Sequence, residues 1–376
     1  MAEAVEHIKV KDSPLIDAHN RHGVEMRIED GWSVPGSYGD LLFEYAAVRE
    51  SGAGLIDMSS RGRLVVSGTE AIQFLNGLIT NEMKTLREES WMAAAFPNVQ
   101  GRVIASVRVI RFKDNQSGKN ASPAFLIDTE PVTHERVLKT IERFTLAGDF
   151  KVEDISNQTA QVSVQGKKSA NLIRAVIGED ASALAPDAAI RTAVQETELT
   201  VVRGTHTGED GFDLILNRER AIILWNALHA AGGRPVGYDA LEILRIEAGL
   251  PRYGKDMDET NIVTEAALDS AVSYTKGCYV GQEIIARIKY RGHVAKKLSG
   301  LAFDQFVKVE AGAPIKAVDG KEVGRVTSRT NSPHLGRTIG LAYVKYDYLT
   351  PNTSVKVAAG DAELSAHITQ LPFVSR

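Results

Sequence analysis

The chain has 376 residues, of which 43% are hydrophobic and 24% charged, and its formal net charge is −4. That length exceeds what one hydrophobic core usually organises, so two or three packed units are expected. The near-neutral balance excludes a broad nucleic-acid surface, and one cysteine excludes an intrachain disulfide or an all-cysteine metal site built by a single chain. No metal site is expected, and a lone thiol points to a reducing compartment. The stretch "MAEAVEHIKVKDSPLIDAH" mixes acids and bases without an apolar core, and no segment offers eighteen uninterrupted apolar residues. A soluble, cytoplasmic protein without membrane or nucleic-acid partners is the expectation.

Taken in chain order, "GWSVPGSYGD" leads into a helix ending near "VRESG", with Gly52 as its cap, and "RGRLVVSG" alternates like a strand. After Gly68, the apolar residues Ala71, Ile72, Leu75, Leu78 and Ile79 recur at helical spacing. "GRVIASVRVIRF" and "PAFLID" read as strands, and "PVTHERVLKTIERF" as a helix with Val137, Leu138, Ile141 and Phe144 inward. A second group repeats the mixture: strand "AQVSVQG", helix "SANLIRAVIG" ended by Gly178, then "TELTVVRG" and "DGFDLILN" as a hairpin. Two further helices follow, "RERAIILWNALHAAGG" and "YDALEILRIEAGLP". From about Lys296 the short segments "KLSGLAF", "PIKA", "EVGRVTSR", "TIGLAYV" and "TSVKVAA" predict a small barrel or sandwich. The class is α+β, with residues 1–295 forming two interwoven subdomains, internal boundaries near 50 and 150, and 296–376 a C-terminal β-barrel.

Three places carry candidate chemistry. In "RGTHTGEDGFDL", Glu209 sits among small residues, either as a solvated turn carboxylate or as a pocket carboxylate that accepts two hydrogen bonds from an amino-pyrimidine edge. Arg245 lies on an otherwise apolar helix, where it needs an internal partner such as Glu242 or Glu247, or serves as a fixed fork for a ligand carboxylate. In "SYTKGCYVGQEIIA", Cys278 is either a small hydrophobe or a thiolate supported by Lys276, with Gly277 and Gly281 permitting close approach. Beyond it, Arg287, Lys289, Arg291 and His293 fall at every second residue. An extended chain would line them up as a solvated face or as a basic rail for a polyanionic tail. A thiol enzyme pairing Cys278 with His293 or His206 is a further alternative.

Lys276, Gly277, Cys278, Gly281, Gln282 and Glu283 in "KGCYVGQE" resemble the signature of the YgfZ-type folate-binding proteins implicated in iron–sulfur enzyme maturation. These are relatives of the glycine cleavage T-protein. "EYAAVRESGAGLIDMS", "VSGTEAIQFLNGLITNEM" and "GRVTSRTNSPHLGRTIGLAYV" resemble T-protein segments, so the likeness covers nearly the whole chain. The resemblance implies a three-domain cloverleaf around a central folate channel, with Glu209 holding the pterin and Arg245 associated with the folate site. It implies tetrahydrofolate or a one-carbon derivative as cofactor, and transient iron–sulfur client or assembly proteins as partners. Cys278 is then the reactive group, with Lys276 beside it. The chain departs from the T-protein at "PNVQGRVIASVRV", where Ala105 and Ser106 stand at the positions of a paired acid. An accessory factor in iron–sulfur assembly or repair is therefore the first expectation, and a folate-dependent aminomethyltransferase or demethylase the alternative.

Overall fold

The computed structural model describes residues 10–113, 122–146, 148–194 and 196–375. The expected strand in "GRVIASVRVIRF" is Val103–Arg111, and it sits second in an antiparallel sheet of five. The order is Ser90–Pro97, Val103–Arg111, Ala124–Thr129, Gly62–Ser67 and Lys151–Asp154. Helices Ala71–Leu78 and His134–Glu142 cover one face, where Leu75, Leu78, Val137 and Ile141 bury against Leu64, Val66, Ala105 and Phe125. The 3.6-residue period of the helices and the two-residue period of the strands meet in one apolar layer.

The second sheet has six strands in the order Ala189–Val194, Thr197–Arg203, Gly211–Asn217, Thr159–Gln165, Gly54–Asp57 and Arg234–Pro235. Its central pairs are antiparallel, including the expected hairpin, and the short Arg234–Pro235 edge is parallel. Helices Ser169–Val176 and Ala221–Ala230 place Leu172, Ile173, Leu224 and Trp225 on it. The two sheets touch through Ile110, Phe112 and Leu126 on one side and Ala189, Val202 and Ile215 on the other. A three-stranded sheet of Lys11–Asp12, Trp32–Ser37 and Glu25–Glu29 lies at the start of the described chain. From Lys296–Phe303 to Ala362–Thr369, six strands close into a barrel filled by Leu301, Val326, Val344 and Val357. This is the mixed α+β architecture with a C-terminal barrel that the sequence led one to expect. Among the described residues no helix is long and apolar enough to cross a membrane.

The helix Tyr238–Glu247 ties these units together. Most of its residues are buried, including Arg245 and Glu247, as befits an element enclosed on several sides rather than lying on a surface. Ala240, Leu241, Ile243 and Leu244 pack on Tyr45, Val48, Ile56 and Met58, while Ile246 joins Leu298, Ile339 and Leu341 of the barrel. At its end the fully buried Glu247 carboxylate accepts hydrogen bonds from Arg49 Nη2 at 2.6 Å, Tyr45 Oη at 2.9 Å and Ser332 Oγ at 2.5 Å. Two separate segments, the helix Leu41–Arg49 and the barrel strand Glu322–Ser332, thus converge on one carboxylate.

The run of basic residues after Cys278 departs from expectation. Gln282–Arg291 is a helix, and side chains two apart point to nearly opposite sides of it. Arg287 pairs with Glu283 at 2.6 Å, Lys289 lies 4.9 Å from the Tyr274 ring centroid, and His293 stacks on Tyr346 with centroids 3.7 Å apart. No rail forms. The same residues carry a helical signal in Ile284, Ile285 and Ile288, and Ile285 is buried against Ala95, Val103 and Tyr279.

Replacing Arg49 by Met is expected to leave the Glu247 carboxylate without its counter-ion. Breaking a buried pair typically costs about 3–5 kcal/mol, to be measured as a lower urea midpoint. A loss below about 1 kcal/mol, the range of exposed pairs, would show that this junction does not hold the units together.

Candidate functional site

Strand alternation divides the two residues at the paired-acid positions. Ala105 points into the core under the helices, whereas Ser106 and Arg108 share the opposite face and line a cavity of about 370 Å³. Trp91 and Ala93 of the neighbouring strand, Met58, Ser60 and Arg61, and Thr205 and His206 from the second sheet's hairpin complete one side. Tyr238, Leu241, Glu242 and Arg245 of the connecting helix, with the following Gly249–Arg252 segment, form the other. The volume falls within the roughly 300–1,000 Å³ usual for small-molecule sites, and the position between packed units is also usual.

Charges of alternating sign line its base. Arg61 Nε donates to Asp128 Oδ1 at 2.6 Å, and Arg108 Nε donates to Asp128 Oδ2 at 2.8 Å. Arg108 Nη2 then reaches Asp213, whose Oδ2 meets His206 Nε2 at 2.9 Å. Asp128 and Asp213 are fully buried. Burial alone would raise both carboxyls, but Arg61 and Arg108 hold Asp128 below the usual range, and His206 and Arg108 do the same for Asp213. Because Asp128 and Arg108 belong to one sheet and Asp213 to the other, this chain of charges also crosses the seam between them.

Arg245 lies in the cavity wall with its donors engaged. Nε and Nη2 go to Glu242, Nη1 to Asp256 and the Leu250 carbonyl, and Nη2 also to Ser328 Oγ of the barrel at 2.7 Å. Of the partners the sequence offered, Glu242 is used and Glu247 is not. Burial pushes the Glu242 carboxyl up, yet the Arg245 hydrogen bonds and charge bring it down to about 2, so it faces the cavity ionised.

Glu209 is elsewhere. Its carboxylate receives Arg49 Nη1 at 2.7 Å, and it lines a separate cavity of about 540 Å³ with Lys167, Asp210 and His334. The structure therefore does not bring Glu209 and Arg245 to one pocket, and the carboxylate of that hairpin bonded to the cavity-lining Arg108 and His206 is Asp213. Asp213 and Arg108 are not singled out when turns are read for chemistry, and His206 enters the sequence reading only as a partner for Cys278. The signal was a charged residue inside an apolar strand, in "GFDLILN" and "VIASVRVIRF", because a buried charge requires a partner.

Cys278 is exposed on the loop before the Gln282–Arg291 helix and is not among the residues lining the cavity. Lys276 does not serve it. The buried ammonium donates to the carbonyls of Asn76 at 2.7 Å, Ile79 at 2.9 Å and Asn81 at 2.7 Å, closing the C-terminal end of the Ala71–Leu78 helix. Burial lowers its pKa to about 8. Gly277 has open space around it. Gly281, at φ +77°, is different: an added Cβ would lie 2.4 Å from the Asn98 carbonyl oxygen and 3.0 Å from Gly101 Cα. That contact presses the loop onto the tip of the hairpin that carries Ser106. Gln282 Nε2 reaches back to the Lys276 carbonyl at 3.4 Å, and Glu283 is exposed with Arg287. His206 sits in the cavity and His293 on Tyr346, which leaves the thiol-enzyme alternative without its histidine.

Two family profiles match the chain: the GCVT N-terminal domain over residues 15–276 and the glycine cleavage T-protein C-terminal barrel domain over residues 296–375. The chain belongs to the glycine cleavage T-protein family. An aminomethyltransferase of Rubrobacter xylanophilus is 33% identical over 376 residues, 99% of this chain and 96% of that one. Its counterpart from Geobacillus kaustophilus is 32% identical over 377 residues, covering 98% and 99% of the two chains. The crystal structure of the glycine cleavage system aminomethyltransferase T from Bartonella henselae has the same fold, with a TM-score of 0.88 at 22% identity over 97% of this chain and 98% of that one. These relatives are named for aminomethyl transfer, and they lend no support to the narrower resemblance to iron–sulfur maturation proteins.

Lys276→Met provides two measurements. With the folded pKa near 8 and the unfolded one near 10.5, the unfolded chain binds more protons between those values, so the stability of the wild type relative to the variant is expected to rise with pH across that window. Alkylation of Cys278 is expected to stay within about twofold of wild type, since the ammonium is held by carbonyls; slowing by about tenfold would return it to the thiol.

Proposed function

We propose that the central cavity binds tetrahydrofolate and that the protein transfers a one-carbon unit to or from it, as an enzyme of the aminomethyltransferase type. The observation that carries this reading is the donor set of the cavity. Met58, Trp91 and Leu241 offer apolar and aromatic surface to a flat ring, and the ionised Glu242 and Glu130 suit the donors of an amino-pyrimidine edge. Arg61 and Arg252 add positive charge from the two sides of the cavity, each also paired with carboxylates, for acceptor atoms or a tail carboxylate. Arg245, with its donors engaged, acts by fixing Glu242 and tying it to the barrel. Bound there, the reduced pterin supplies a ring nitrogen that exchanges the carbon unit. Relatives at 32–33% identity along nearly the whole chain support the same reading.

Calorimetry with tetrahydrofolate tests it directly. One saturable site per chain is expected. Ser106→Trp, which fills part of the cavity from its floor, is expected to weaken binding by at least about tenfold at unchanged melting temperature, the equivalent of about 1.4 kcal/mol. Absence of binding in the wild type, or full binding in a folded Ser106→Trp protein, would overturn the assignment.

A second reading has one observation in its favour: the exposed thiol of Cys278 within the Lys276–Glu283 segment. As an iron–sulfur accessory factor the chain would contribute a single sulfur, and a partner the remaining ligands, since such clusters usually take four. In a strain lacking this gene, Cys278→Ser is then expected to fail to restore iron–sulfur enzyme activity while binding folate normally. Full restoration would remove this reading and leave the cavity untouched.

A further inference from the structure

Transfer of carbon to or from a ring nitrogen requires a group that moves a proton, and the strand that lines the cavity presents Ser106 where an acid was expected. The cavity contains another candidate. His206 lies in the loop between Thr197–Arg203 and Gly211–Asn217, and that loop is fixed from within. The His206 amide donates to Gln165 Oε1 at 3.1 Å, while Thr205 Oγ1 accepts the amides of Thr207 at 3.1 Å and Gly208 at 2.9 Å. The imidazole thus stands on an ordered support, with its ring in the cavity wall.

The state of the ring follows from its partner. Asp213, buried and held ionised by His206 and Arg108, can only accept hydrogen bonds, so His206 Nε2 carries the hydrogen of the 2.9 Å contact. In the neutral ring Nδ1 therefore holds the lone pair. Among the described residues Nδ1 has no hydrogen-bond partner. Two other histidines set the contrast. His19 uses both nitrogens, Nε2 with Asp57 and Nδ1 with Tyr38 Oη, each at 2.8 Å, and is fully buried. His134 likewise engages Nδ1 with Thr129 at 3.2 Å and Nε2 with Asp154 at 2.9 Å. His206 combines an oriented Nε2, an unengaged Nδ1 and a place on the cavity wall.

We infer that His206, oriented by Asp213, is the proton-transfer residue of this cavity, in place of the carboxylate that Ala105 and Ser106 do not supply; the inference rests on the one-carbon reading above. Nδ1 takes one proton as a carbon–nitrogen bond forms, and returns it to the group that leaves the carbon with the bonding electron pair. Charge and electrons balance without an oxidant or reductant. Asp213 and Arg108 are positioning residues: the carboxylate orients the ring and stabilises the imidazolium, and the guanidinium keeps the carboxylate ionised.

The test uses the full chain, tetrahydrofolate, and an aminomethylated lipoyl carrier as donor. The groups around His206 are Asp213 and Arg108 in the chain of charges, with Asp128 and Arg61 behind them. Arg203 and Asp210 pair beside the hairpin, and Glu130, Glu242, Arg245 and Arg252 stand in the rest of the wall. Imidazole resonances are assigned by loss in His206→Gln. Asp213→Asn, which removes the carboxylate facing Nε2, is expected to shift the His206 ring resonances, and tetrahydrofolate to shift them in the wild type. His206→Gln is expected to keep tetrahydrofolate affinity within about threefold while transfer falls roughly 10²–10⁴-fold. A His206 resonance indifferent to both Asp213→Asn and folate, or a His206→Gln rate within about tenfold of wild type, overturns the assignment. Failure of the wild type to bind tetrahydrofolate would instead overturn the one-carbon reading, so the two are separable.

Discussion

Four side chains of alternating charge, Arg61, Asp128, Arg108 and Asp213, run beneath the cavity and across the seam between the two sheets, and the His206 ring hydrogen-bonds to the last of them. The apolar contacts at that seam are non-directional and would tolerate sliding; hydrogen-bonded ion pairs are not so permissive. Taking these charges out of water is costly, and comparable apolar packing often contributes as much stability. Their effect is geometric. Each charge is flanked by opposite charge, so the charges pair when the sheets meet in one register, and that register defines the cavity.

The connecting helix performs the same service for the barrel. Glu247 gathers Arg49, Tyr45 and the barrel's Ser332, and Arg245 gathers Glu242, Asp256 and the barrel's Ser328. Two charged residues at i and i+2 on one helix face different neighbours, one the barrel and cavity wall, the other the buried junction. An arginine that looks like a ligand fork in isolation is, in this setting, the reason a carboxylate stands ionised in the wall.

Most of the scaffold was legible because it is periodic. The strand Val103–Arg111, the helix Tyr238–Glu247 and the barrel strands declare themselves by spacing alone. The chemistry was harder, because its partners are remote in sequence. Asp213 and Arg108 are 105 residues apart, and the carbonyls that hold Lys276 lie 195 to 200 residues upstream. Local reading favoured neighbours instead: Lys276 for Cys278, and the conspicuous Glu209 in its turn over Asp213 in its strand. The basic run failed for another reason. A residue pattern with period two fits a strand, but the isoleucines of the same segment fit a helix, and burial of Ile285 decided between them.

The anchoring of Gly281 against Asn98 and Gly101 has a practical side. The sole cysteine of the chain projects from a loop pinned to the hairpin tip, and the same hairpin continues into the strand bearing Ser106 and Arg108. A fluorophore attached to that thiol would sit outside the cavity yet share a rigid path of backbone with its wall. The sequence thus provides a site for a single optical label, from which movements of the wall can be followed without adding or deleting any residue.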